Sequence, residues 1–120
     1  MAYSGNKGFT RIRKAAVFSW QGFKAAYVHE EAFRQEVWLA IVLIPLGFVL
    51  GDSGVEKALL IGSVLMLMLV EILNSAIEAV VDRFGTELHE LSGRAKDMGS
   101  SAVFLAVVIL MMTWALILID

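Results

Sequence analysis

Glu71 is the residue in this chain whose type and setting most demand a chemical explanation. It ends an apolar run, Ala58 to Val70, and is followed by Asn74, Ser75, Glu78 and Asp82 before Arg83 breaks the pattern. At about 100° per helical residue, positions 71, 74, 75, 78 and 82 fall within roughly 100° of arc, so five polar groups share one face. Ile72, Leu73, Ala76, Ile77, Ala79 and Val80 keep the rest apolar. An ionisable group inside a membrane span costs a few kcal/mol, which makes Glu71 a functional candidate by default. A carboxylate there is suited to take the proton of a hydroxyl as general base. The structural alternative is a protonated Glu bonded to a neighbouring helix. Glu78 lies two turns further along the same face, and Glu30 stands at a similar depth where the preceding apolar run begins. Mg²⁺ takes one or two carboxylates and lets phosphate oxygens complete its shell; the spacing of Glu30 and Glu78 is not in itself a metal motif. Asn74 and Ser75 are either site residues or interhelical hydrogen-bonding groups.

A polar segment follows, with Glu87, His89, Glu90, Arg94, Lys96 and Asp97. Read alone, His89 is a solvated histidine, and Arg94 and Lys96 either meet phosphates or set membrane topology. The chain has no P-loop, no dinucleotide-binding glycine fingerprint and no protein-kinase catalytic loop. A nucleotide used here is bound without a soluble nucleotide-binding fold.

The elements that must hold these groups are helices in a membrane. Of 120 residues, 58% are hydrophobic and 18% charged, and mean hydropathy is +0.74. A soluble domain of this size has no use for so much apolar sequence, so the reading is a single all-α integral-membrane domain over 1–120. The net charge of -2 and the lack of a basic patch argue against nucleic acid. Absence of cysteine excludes disulfides and Cys-ligated metals, and the first 36 residues carry nothing like a cleavable signal peptide. Phe9, Ile12, Ala16, Trp20, Phe23 and Tyr27 recur at the 3/4 spacing, with Arg11, Arg13, Lys14 and Lys24 beside or opposite them. That predicts a basic amphipathic surface helix over about 8–27, lying in the headgroup plane.

Three membrane helices are expected, over about 31–50, 57–82 and 98–119. Val37 to Leu50 alone is only about 21 Å of helix, too short for a hydrocarbon core about 30 Å thick, so the first must extend back through Ala32 and Phe33. Pro45 lies in its middle, and Gly51 to Gly54 is a turn. Six Lys/Arg precede the apolar run Val37 to Leu50 of the first span, Lys57 alone lies in the first loop, three lie in the second loop, and none follow the third. The positive-inside rule then puts the N-terminus and the 83–97 loop in the cytosol, with the 51–57 loop and Asp120 outside.

The run Glu71-Ile-Leu-Asn-Ser-Ala-Ile-Glu-Ala-Val-Val-Asp-Arg, with Glu87-Leu-His-Glu-Leu-Ser-Gly-Arg-Ala-Lys-Asp-Met-Gly-Ser, resembles the prokaryotic diacylglycerol kinase family. Gly8-Phe-Thr-Arg-Ile and Ala32-Phe-Arg-Gln-Glu36 fit the same family, so the resemblance runs from about Gly8 to Trp114. It implies an inner-membrane kinase that uses MgATP to phosphorylate diacylglycerol to phosphatidic acid. It further implies a homotrimer, each subunit with three spans and a surface helix, whose sites are shared between neighbours. By the same resemblance Glu71 is the catalytic base, and Glu30 and Glu78 hold the metal with its nucleotide. Arg11, Phe18, Glu87, His89, Lys96 and Asp97 contact ATP, while Arg11, Glu71, Asn74 and Ser100 face the lipid headgroup. Members of the family often carry Tyr where this chain has Phe18 and Leu88, so a hydroxyl contact is absent at both.

Undecaprenol kinases share these carboxylates and act on a different lipid. The Asn74-Ser75 pair and the Ser92 to Ser100 run favour the diacylglycerol branch by resemblance. Small multidrug exporters also bury a membrane glutamate in a chain this short, but with four spans and no need for carboxylates at 30, 78 and 82. A purely structural membrane subunit gives no reason for Glu71.

Overall fold

The computed structural model describes residues 7–85 and 89–120. These are all helical apart from short connections: α1 (Gly8–His29), α2 (Glu31–Leu50), α3 (Gly54–Arg83) and α4 (Glu90–Ile119). The last three are long and apolar enough to cross a membrane. At 1.5 Å per residue α2 is about 30 Å long and α3 and α4 about 45 Å, so the longer pair overhangs the hydrocarbon core.

The boundaries have local causes. α1 stops where Glu30 turns extended (φ -117°, ψ 111°), and the Arg34 guanidinium closes that end by donating to the carbonyls of Tyr27 and Val28, both at 2.9 Å. α3 starts on Ser53, whose Oγ accepts from the Glu56 amide at 3.1 Å. Glu56 in turn accepts from the Asp52 amide at 2.9 Å, a reciprocal cap in the manner of a capping box. α3 ends where Gly85 takes a positive φ of 107°, a conformation open to glycine. α4 starts at Glu90, well before the apolar stretch that begins near residue 98, because the His89 ring accepts from the Leu91 amide at 3.1 Å and caps it. Pro45 is accommodated inside α2.

α3 is the centre of the bundle. It packs on both α2 and α4, and α1 lies against α2 and α3. Leu60, Ser63, Val64, Leu67 and Glu71 form its buried line at the 3/4 spacing, and Leu60 and Val64 are fully enclosed. α2 meets that line with Phe33, Ala40 and Gly47. At the far end of the bundle, Trp114 of α4 donates its indole N–H to the Leu60 carbonyl and the Ser63 hydroxyl, both at 3.1 Å. Most other large apolar side chains face outward, as lipid or a neighbouring subunit requires.

Candidate active site

Five polar residues of α3 point where their periodicity predicts, and the neighbouring helices give each a different setting. Glu71 is 6% exposed, the one buried carboxylate among the described residues. Asn74, one turn on, donates from Nδ2 to Glu71 Oε2 at 3.4 Å. Asn74 is itself pressed by α4: a Cβ at Gly99 would collide with Asn74 Oδ1, so the close approach requires glycine. Asn74 Oδ1 and Ser75 Oγ are buried with no hydrogen-bond partner among the described residues. Buried polar atoms without partners are uncommon, and here two stand beside a buried carboxylate.

The α2–α3 register decides which other carboxylates join them. A Cβ at Gly47 of α2 would lie 3.0 Å from Ile61 and 3.3 Å from Leu60 of α3, so these positions are opposite. Eleven residues back along α2 stands Glu36, and eleven residues on along α3 from Leu60 stands Glu71. In an antiparallel pair with equal rise per residue the two come level. Glu36 Oε1 is buried at that level with no hydrogen-bond partner among the described residues. Six residues further back is Glu30 and seven further on is Glu78, so these also come to one height, at the open end where α2 begins. Both are half-buried.

α4 brings the basic groups to the same end. Lys96 Nζ pairs with Asp82 Oδ1 at 2.7 Å and also feels the Glu78 carboxylate. Asp97 and Ser100 lie exposed on the adjoining turns, between the Asp82–Lys96 contact and the Asn74–Gly99 contact or just past it. Arg94 is engaged with Glu90 at 3.5 Å. His89 is exposed and spends Nδ1 on its cap. Glu87 and Leu88 lie outside the described residues.

Arg11 and Phe18 are exposed on α1, about 28 Å and 18 Å along that helix from Glu30. One chain therefore leaves them apart from the Glu30–Glu78 level. The later part of α1 does approach: Trp20, Phe23 and Tyr27 line an apolar cavity of about 380 Å³ with Phe33, Val37 and Met68. Met68 is one turn from Glu71, so this cavity adjoins the buried carboxylate.

Among the described residues no three His, Asp or Glu side chains converge on one metal-sized position. The Glu30–Glu78 pair suits an ion that draws its remaining ligands from phosphate and water, as Mg²⁺ does, and does not suit a closed protein cage. Glu36 is the group that residue spacing left unassigned. It sits one turn from Phe33 and one from Ala40, on the stripe that α2 turns to α3, and a lone acid on that stripe was the available signal.

Comparison with known proteins adds a specific relation. The family profile "Prokaryotic diacylglycerol kinase" matches residues 17–118. A diacylglycerol kinase of Escherichia coli K12 is 54% identical over 111 residues, 92% of this chain and 91% of its own length. One from Haemophilus influenzae is 53% identical with 92% and 94% covered. One from Pseudomonas aeruginosa is 50% identical over 117 residues, 98% of this chain and 95% of its own.

Proposed function

The chain belongs to the prokaryotic diacylglycerol kinase family, and from that premise we propose how its residues carry out phosphate transfer. It is a membrane kinase that phosphorylates diacylglycerol from ATP, giving phosphatidic acid. The lipid hydroxyl is a poor nucleophile until its proton is removed. Glu71 takes that proton as the oxygen attacks the γ-phosphorus, the bond to the bridging oxygen breaks, and ADP leaves. Asn74 holds the Glu71 carboxylate through Oε2. The observation that carries this reading is Glu71 itself: a buried acid, held by an amide, inside a span where charge is expensive.

Glu30 and Glu78 hold Mg²⁺, which when bound neutralises charge on the phosphate oxygens. Glu78 stands roughly 10 Å nearer the open end than Glu71, where a triphosphate can arrive. Lys96 donates to the phosphates, and Arg11, Phe18, Glu87, His89 and Asp97 complete the nucleotide contacts. Arg11, Asn74 and Ser100 face the lipid headgroup with Glu71. Arg11 and Phe18 lie far along α1, and buried polar atoms beside Glu71 lack partners among the described residues. Both features favour a homotrimer with sites shared between subunits in the bacterial inner membrane. The distribution of Lys and Arg favours a cytoplasmic N-terminus and an external C-terminus.

The decisive experiment is transfer of labelled γ-phosphate from MgATP in mixed micelles, with diacylglycerol and undecaprenol offered in competition. Diacylglycerol is expected to take the label, and preferential labelling of undecaprenol would overturn the substrate assignment. Glu78→Gln is expected to weaken MgATP binding and shift the Mg²⁺ dependence. A fully active monomer in detergent would refute the shared site, and a cytoplasmic reporter readout at Asp120 would refute the orientation.

A further inference from the structure

The mechanism above leaves Glu36 idle, yet the fold aims it at the base. The register fixed by Gly47 against Leu60 and Ile61 brings Glu36 level with Glu71. Glu36 lies on the α2 stripe that includes buried Phe33 and Ala40. Its Oε1 is buried with no hydrogen-bond partner among the described residues. An acid in such a place is costly unless something uses it, and helix packing alone would be served by any apolar side chain.

We propose that Glu36 is a positioning residue for Glu71, the two carboxyls sharing one proton across the α2–α3 interface. Two carboxyls in contact in an apolar setting do not both carry charge. One proton between them makes a short, strong O–H···O hydrogen bond. Glu71 is then held from two sides, by the Asn74 amide of its own helix and by the Glu36 carboxyl of the next. Its remaining acceptor capacity is left to face the lipid hydroxyl. During transfer the hydroxyl proton passes to Glu71 while the shared proton stays with Glu36, so the step needs no further proton source. Afterwards one proton leaves the pair to water and restores the starting state. A base fixed in this way is oriented before the substrate arrives, and misplacement by an ångström is enough to slow a reaction markedly.

This inference rests on Glu71 being the base, so the test includes Glu71→Gln as its own control. Glu36→Leu, Glu36→Gln and Glu71→Gln are prepared in the full chain, and folding is checked by oligomer mass and melting in detergent. Leucine fills the space without a donor, so kcat is expected to fall about ten-fold or more, with KM for MgATP within about two-fold. Glutamine keeps a donor toward Glu71 and is expected to rescue kcat to within about three-fold of the parent protein. Infrared difference spectra should contain a protonated-carboxyl band in the parent protein that is lost in Glu36→Gln. A folded Glu36→Leu with full kcat, or a parent protein lacking the band, would overturn the proposal. Glu36→Gln as inactive as Glu71→Gln would make Glu36 itself the proton carrier, which also overturns it. If Glu36→Leu does not fold, the Gln variant and the infrared band decide. Full turnover in Glu71→Gln would instead sink the base assignment, and this inference with it.

Discussion

The two ends of the bundle are built to opposite rules. At the far end Trp114 satisfies both the Leu60 carbonyl and the Ser63 hydroxyl, and Gly47 lets α2 close onto the α3 side chains. At the end that carries Glu71, Glu36 Oε1, Asn74 Oδ1 and Ser75 Oγ are buried without hydrogen-bond partners among the described residues. Both ends approach through a glycine, but Gly47 admits apolar neighbours and Gly99 admits an amide. Hydrogen bonds completed within the chain make a scaffold; polar groups left incomplete make a place for substrate, metal or a neighbouring subunit. The second arrangement costs stability, and the first is what makes it tolerable.

The largest expected effect falls on the incomplete end. Glu71→Gln should lower turnover about 10²–10⁴-fold while MgATP affinity stays within a few-fold and the protein remains folded. Nucleotide titration and turnover on the purified variant check this, and near-normal turnover would erase the contrast between the ends.

A matched pair of substitutions sharpens the contrast next. Gly99→Ala pushes against the tip of Asn74, a side chain free to swing, so turnover should fall roughly ten-fold as the amide leaves Glu71, with little change in melting. Gly47→Ala pushes against Leu60 Cβ and Ile61, which cannot swing, so stability should fall by about 1–3 kcal/mol with turnover kept. Activity and denaturation measured on both would break the comparison if the two variants behaved alike.

Smaller still is Trp114→Phe, which keeps the ring and removes the donor that Leu60 and Ser63 share. A loss of about 1 kcal/mol in detergent denaturation, with turnover unchanged, is expected. Smallest is Asp82→Asn. The Asp82–Lys96 pair is short but well exposed on both sides, and water screens it, so the melting temperature should not move.

The three long helices are legible because apolar runs of that length have little else to become. The face shared by Glu71, Asn74, Ser75, Glu78 and Asp82 follows from helical period alone. What periodicity does not carry is register between helices. Gly99 against Asn74, Trp114 on Ser63 and Glu36 abreast of Glu71 each depend on how two helices slide past one another, and nothing in one helix's own sequence reports that. The start of α4 at Glu90 was hidden for a related reason: a histidine cap and a polar first turn look like loop until the helix behind them is in place.

Gly51 carries a consequence for how the chain enters its membrane. A Cβ there would press into the backbone of Lys57, and only Asp52 and Ser53 separate it from α3. The contacts between α2 and α3 are therefore local in sequence and can form as soon as both segments have emerged from the ribosome. A pair that enters as a preformed hairpin carries Glu71 into the bilayer on the face it shares with Glu36 and not bare to lipid. At Trp114 α4 is tied to α3 by contacts more than fifty residues apart in sequence, so the scaffold end closes only once nearly the whole chain has emerged.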